Sequence, residues 1–216
     1  GGLIVPLALT QSRRVRPSRL MTLLLTAALL AGCGASPDEM VASARAYLEK
    51  DDPSAAVIQL KNALQEAPEF AEARYLLGKV YYAQDDMAGA VKELQRALRL
   101  GYDESLVTPM LARALVRQGE REAVIRTYTG TALKDPKALS DLLTVLGDAQ
   151  IGVNRDEAAR DYGEALKANP ENALASVGVV RVPALGAKYD EALKALEAVL
   201  AKLPDVPEAH AKDAEI

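Results

Sequence analysis

Ala71 to Glu104, AEARYLLGKVYYAQDDMAGAVKELQRALRLGYDE, is one unit of 34 residues, and most of the chain is that unit repeated. Working outward in steps of 34, Pro68, Tyr102, Pro136, Pro170 and Pro204 fall in one column. Ala56, Ala90, Val124, Ala158 and Ala192 form a second column, and Leu60, Leu94, Tyr128, Tyr162 and Leu196 a third. A fourth holds Ala63, Ala97, Thr131, Ala165 and Val199. A period of this size marks a repeat architecture, in which each unit is too thin to fold alone and gains a core only by stacking on its neighbours. Such a fold exists to present a surface, so the function it points to is binding.

Composition agrees. The chain has 216 residues, 50% of them hydrophobic, with eight Tyr, one Phe and no Trp, so Ala, Leu and Val must fill the seams between helices. A single Cys excludes an internal disulfide framework. The one His, His210, leaves no histidine cluster for zinc and no Ser-His-Asp set, and it reads as an exposed helix residue. No Gly-rich phosphate loop or nucleophile–base pair is present, so we expect no enzyme, no cofactor and no metal. Asp51-Asp52 and Asp85-Asp86 recur one period apart in different repeats, which suits helix caps better than metal ligands. The formal charge is −4, but Arg13, Arg14, Arg16 and Arg19 sit in residues 1–32, which hold no acid. From Cys33 onward 22 basic face 30 acidic side chains, a net of −8 that argues against nucleic acid as a partner.

The N-terminal part has its own logic. Gly1 to Ser12 carries no pattern and reads as an upstream extension. The basic cluster Arg13 to Arg19 is followed by the apolar run Leu20 to Gly32, whose 13 residues are too few to span a bilayer, which takes ~20. Basic, then apolar, then small residues is the layout of a secretory signal peptide. Arg13-Arg14 is followed by Val-Arg-Pro, unlike a twin-arginine signal, which favours general secretion. The run closes on Leu30-Ala31-Gly32-Cys33, which resembles the bacterial lipobox. By that resemblance Cys33 would be lipidated and become the first mature residue, and Gly34 after it favours passage to the outer membrane. An incidental cysteine is the alternative. Several acyl chains, at ~0.8 kcal/mol per buried CH₂, would hold the chain on a membrane without a spanning helix. Residues 33–36 then serve as lipid site and short linker, which would start the first helix roughly 10 Å from the anchor.

Five helix pairs are expected, over 37–70, 71–104, 105–138, 139–172 and 173–206. Ser36-Pro37-Asp38-Glu39 is a capping box with proline at the first helical position. Pro109 looks wrong for a helix interior, and Thr108 as N-cap would place it harmlessly at a helix start. Leu146-Gly147 comes one residue late against Ala158 and Ala165, so the turn Gly152-Val153-Asn154 is expected to be one residue short. Pro183 predicts a kink or an early stop near Arg181, because an interior proline costs ~3 kcal/mol. Residues 207–216 read as the start of a further repeat, and the chain as the N-terminal part of a longer protein.

The 34-residue pattern resembles the tetratricopeptide (TPR) repeat, carried by Leu77-Gly78, Tyr81, Ala90 and Ala97. The expected fold class is therefore all-α, a TPR-type solenoid of antiparallel helix pairs. The lipobox together with AAVIQLKNALQEAP, EARYLLGKVYYAQDD, ELQRALRLGYDE and LARALVRQGE is similar to the PEP-CTERM-system TPR lipoproteins, with Gly101-Tyr102-Asp103 where most such repeats end in Asp-Pro. That likeness implies a periplasm-facing scaffold in the envelope of a Gram-negative bacterium, beside exosortase and exopolysaccharide systems. It supplies no biochemical activity.

The first helices of TPR pairs line a concave groove. Arg45, Lys79, Arg113 and Arg181 share one register there, interrupted by Gly147 and Asp148, with Arg117 one turn beyond Arg113. Tyr75 and Tyr82 are expected on the same face. One reading is an anion site, for a carboxylate-bearing peptide or an acidic polysaccharide, with arginine forks and stacking tyrosines. The other is a solvated face, since charges one repeat apart are about a Debye length from one another and Arg45 has Glu49 at i+4. Functionally this leaves a lipid-anchored scaffold for protein partners, a periplasmic guide for anionic polysaccharide, and, with least support, an enzyme whose catalytic part lies beyond Ile216.

Overall fold

The computed structural model describes residues 34–202 and divides into Gly1–Ala35 and Ser36–Ile216. The expected signal peptide, Cys33, His210 and the segment 207–216 lie outside the described residues. Among the described residues there are ten helices and no strand: α1 (Pro37–Glu49), α2 (Pro53–Glu66), α3 (Ala71–Ala83), α4 (Met87–Arg99), α5 (Glu104–Arg117), α6 (Arg121–Tyr128), α7 (Pro136–Gln150), α8 (Arg155–Ala168), α9 (Ala173–Leu185) and α10 (Tyr189–Leu200). None of them is long and apolar enough to cross a membrane.

Local chemistry sets the helix starts. Ser36 forms the expected capping box: its N–H donates to Glu39 Oε2 at 2.7 Å and the Glu39 N–H donates to Ser36 Oγ at 3.3 Å. Asp52 and Asp86 cap α2 and α4 by accepting from the Ala55 and Gly89 N–H groups at 3.0 and 2.8 Å, so the second acid of each pair is the cap. Four of the five hairpin turns also close alike. Asp51, Asp85, Gly119 and Ala187 take the left-handed conformation, at φ 56°, 65°, 91° and 57°, one period apart but for a gap in repeat four. The next N–H then reaches five residues back: Asp52 to Tyr47 and Asp86 to Tyr81 at 2.9 Å, Glu120 to Leu115 and Lys188 to Pro183 at 3.0 Å. This is the Schellman closure, which satisfies carbonyls the helix end would leave bare.

The columns seen in the sequence are the seams. Ala56, Ala90, Val124 and Ala158 are completely buried, and so are Leu60, Leu94 and Tyr162. Each buried leucine contributes roughly 2 kcal/mol of transfer free energy. Gly78 shows why small residues alternate with large ones, since a Cβ there would stand 2.8 Å from Leu94 Cγ. In the last pair the seams open: Leu193 and Leu200 of α10 are exposed, as is Leu174 of α9.

Four local expectations need correction. Pro109 is inside α5, because Asp103 caps that helix by accepting from the Ser105 N–H at 2.9 Å, a full turn before Thr108. Helix α9 does not stop near Arg181; it runs through Pro183 to Leu185. Helix α6 ends at Tyr128, short of its counterparts, with Gly130 at φ 81° just beyond, and α7 begins at Pro136 rather than near Leu139. Asp135 fixes that early start by accepting from the Ala138 N–H at 2.7 Å. The turn after α7 is not short: residues 151–154 are all non-helical. What it lacks is the left-handed residue, because Val153 stands at that point of the period and a β-branched side chain resists positive φ. Asn154 instead donates back to the Gln150 carbonyl at 2.8 Å.

Candidate functional site: a two-ended groove across the first helices

Helices α3, α5, α7 and α9 are the first members of their pairs and stand side by side. Between them run two adjoining grooves of about 510 and 420 Å³, which share Tyr82 and Arg113. The first holds Tyr75 with Leu106, Pro109 and Met110 of α5, and is rimmed by Asp103, Asp135, Lys137 and Asp141. The second holds Arg117, Arg121, Asp148 and Arg181. Of the expected site residues, Tyr75, Tyr82, Arg113, Arg117 and Arg181 are thus brought together, while Arg45 and Lys79 line neither groove.

The structure also gives most of these cations a partner. Arg45 pairs with Glu72 of the next repeat, not with Glu49. Arg117 reaches Asp85 of the preceding repeat at 2.6 Å and lies over the Tyr82 ring, 5.3 Å from its centroid. Arg181 donates to Asp148 at 2.5 Å and to the Tyr162 hydroxyl at 2.6 Å, and that hydroxyl donates to Asp148 at 2.7 Å. With the one-residue lag of α7, Asp148 stands in the basic column itself, so the interruption seen in the sequence is the partner of the next cation. Each pair joins two repeats, which makes these arginines clasps between units. Exposed pairs of this kind contribute about 0–1 kcal/mol each. Among the described residues, Arg113 and Lys79 have no ion-pair or hydrogen-bond partner, and only Arg113 lies in the groove, half-buried where its two halves meet.

Electrostatics at the tyrosines follow their burial. Burial, then the bond to Asp148, holds the Tyr162 hydroxyl far above the usual phenol range. Burial acts against the charged form of Arg181, but its bonds to Asp148 and Tyr162 outweigh that and raise it overall. Tyr75 stacks on Tyr102 with ring centroids 4.8 Å apart, and burial, with Asp103 nearby, raises its hydroxyl too. All three shifts run away from neutrality. Among the described residues no group of three His, Cys, Asp or Glu side chains could hold a metal ion.

The apolar floor of Leu106, Pro109 and Met110 was not anticipated from sequence. Its signal was Pro109 itself: a proline within α5 leaves the Ser105 carbonyl without its i+4 donor, and both residues line the groove.

Residues 47–108 match the tetratricopeptide-repeat family model. No curated protein matches the chain. Among solved structures it is similar to MamA, at 21% identity and a TM-score of 0.64 over 73% of this chain and 92% of that one. It is also similar to YrrB, described as a TPR protein with an unusual peptide-binding site, at 20% identity and a TM-score of 0.59 over 78% and 87% of the two chains. A third is pilF of Pseudomonas aeruginosa, at 17% identity and a TM-score of 0.64, covering 78% and 77%. The fold is a TPR-type α-solenoid, as expected from the period.

Proposed function

We propose that this chain is a non-catalytic scaffold that captures protein partners of an exopolysaccharide and PEP-CTERM sorting system in the groove across α3, α5 and α7, held by a lipid on Cys33 at the periplasmic face of a Gram-negative envelope. The observation that carries the binding part is Arg113, a half-buried guanidinium without a partner among the described residues, set beside an apolar floor. A half-buried cation without a partner gains most from a ligand that brings its own acceptor. The lipid and the envelope rest on the Leu30-Ala31-Gly32-Cys33 pattern and the basic, then apolar, run before it. The assignment to a sorting system rests on the sequence likeness. The polysaccharide alternative needs a ladder of free cations, and Arg45, Arg117 and Arg181 are spent on Glu72, Asp85 and Asp148.

Two experiments test this. Replacing Arg113 and Arg117 by alanine should weaken capture of envelope proteins while leaving helicity intact; undiminished capture refutes the groove. Cys33→Ser should release the protein from the membrane fraction, and retention there refutes the lipid.

A further inference from the structure

The groove has opposite charge at its two ends. At the C-terminal ends of α5 and α7 stand Arg113, Arg117, Arg121 and Arg181; Arg117 is paired with Asp85 and Arg181 with Asp148, which leaves Arg113 and Arg121 without an acidic partner among the described residues. At the N-terminal ends, Asp103, Asp135 and Asp141 outnumber Lys137, which is itself engaged with Asp141 at 3.4 Å. The Ser105 carbonyl, lacking its helical donor, adds an acceptor at this acidic end. Between the ends lies the floor of Leu106, Pro109 and Met110, with Leu106 46% exposed. From Ser105 to Arg113 the helix rises ~12 Å, at 1.5 Å per residue. An extended chain covers that in about four residues.

We propose that the groove recognises an extended peptide segment in which an acidic and a basic residue stand about four apart with an apolar side chain between them. The acidic residue lies on Arg113, the basic residue between Asp103, Asp135 and Asp141, and the apolar one on Leu106 and Met110. Either chain direction satisfies the pattern, because the side-chain charges and not the backbone polarity set it. A polyanion fits one end only: past Arg113 its repeating charges meet three carboxylates. Like charges brought together at an interface cost affinity and exclude the wrong partner. This inference rests on the reading of the groove as a peptide site and adds what the peptide must carry.

The test uses the full chain and fluorescence anisotropy with short labelled peptides in a Ser/Gly background. One peptide carries Asp, Leu and Lys at its first, third and fifth positions and another carries the reverse order. Controls place Asp and Lys side by side, change Lys to Gln, or change Lys to Asp; polyglutamate and polygalacturonate supply the polyanions. The spaced peptides should bind at least about tenfold more tightly than every control, as expected for two charge-assisted contacts made together. Arg113→Glu should transfer the preference to a peptide with Lys in place of Asp. Leu106→Asp should weaken the spaced peptides, with melting curves confirming that both variants stay folded. If peptides bind and Leu106→Asp weakens them, but charge spacing makes no difference, this inference fails and the groove reading survives. If no peptide binds, or binding ignores both variants, the groove reading falls as well. Tighter binding of either polyanion, lost in Arg113→Glu, would assign the groove to a polymer and overturn the proposal.

Discussion

Glu93 and Asp161 occupy the same place on α4 and α8, two periods of 34 apart, but only Glu93 has an arginine in front of it. Arg74 of α3 donates to Glu93 at 2.7 Å, with both side chains buried. In α7 the place of Arg74 falls to Leu142 or, with that helix's one-residue lag, Leu143, and neither can pair. Burial, then repulsion from Glu157, therefore outweighs the help of Arg160, and the Asp161 carboxyl is pushed up to about 6.

That shift has a definite sign. A carboxyl whose folded value is raised binds its proton more tightly when folded. Its stabilising contribution is fully present below the unfolded value and is lost as pH rises through about 6. Asp161→Asn removes the penalty. At pH 7.5 the variant should be more stable than the parent by about 1 kcal/mol, a figure discounted for the partial exposure of the group. Near pH 4 the two should coincide. Urea unfolding at both pH values checks this, and an equal difference at both would mean that ionisation is not the cause.

Repeat one supplies the control for the buried pair. Where repeat two has Arg74 and Glu93, it has Met40 and Gln59. Arg74→Met alone strands a buried carboxylate and removes two bonds to the Pro68 carbonyl, so it should cost ~3–5 kcal/mol. Adding Glu93→Gln imports the complete repeat-one combination and should recover most of that loss. A double-mutant cycle by chemical denaturation measures the coupling, and additive losses would show that the pair has no special bond.

How legible all this was depends on the range of the interaction. The seams were plain because Ala56, Ala90 and Ala158 repeat at the spacing of the stacking itself. Caps such as Ser36 and Asp52 were plain because they act over three residues. Pro109 was misplaced because the cap of its helix is Asp103, five residues before Thr108, and the helix runs on through the proline. The Thr108 hydroxyl is left buried without a hydrogen-bond partner. Helix α9 likewise passes Pro183 because tertiary contacts of Ala175, Gly178 and Val182 hold it, which overrides local propensity. In the groove, the tyrosines and Arg113 followed from helical register. The clasps did not, since whether Arg117 reaches Asp85 depends on how far one repeat is rotated against the next.

Tyr162 carries a further prediction. It is larger than the leucines of its column, Leu60 and Leu94, and yet completely buried. Glycines on both neighbouring helices make the room: a Cβ at Gly147 would stand 2.7 Å from Tyr162 Cε1, and one at Gly178 would also run into the ring. Gly178 stands where α3 has Leu76 and α5 has Met110, so the glycine is matched to this tyrosine and not to the repeat. Gly178→Ala should cost ~1–3 kcal/mol by overpacking despite the better helix propensity of alanine. In a Tyr162→Leu background the same substitution should be neutral or stabilising. Thermal melts of the four proteins decide it, and an equal cost in both backgrounds would remove the ring as the reason.

The left-handed turn residues make the last prediction, because the period holds conformation constant while the residue varies. Asp51, Asp85, Gly119 and Ala187 all have positive φ, and only Gly119 adopts it without a steric penalty. Asp tolerates the region better than a residue with no polar side chain, so Ala187 is the worst placed of the four. Ala187→Gly should stabilise the chain by roughly 1 kcal/mol, the relief of left-handed strain less the entropy gained by the unfolded glycine. Gly119→Ala should destabilise it by a similar ~1 kcal/mol. Hydrogen exchange resolves the two sites: slower exchange at the Lys188 N–H, bonded to the Pro183 carbonyl, and faster exchange at the Glu120 N–H, bonded to Leu115. No change at Lys188 would mean that the final turn is held by something other than this closure.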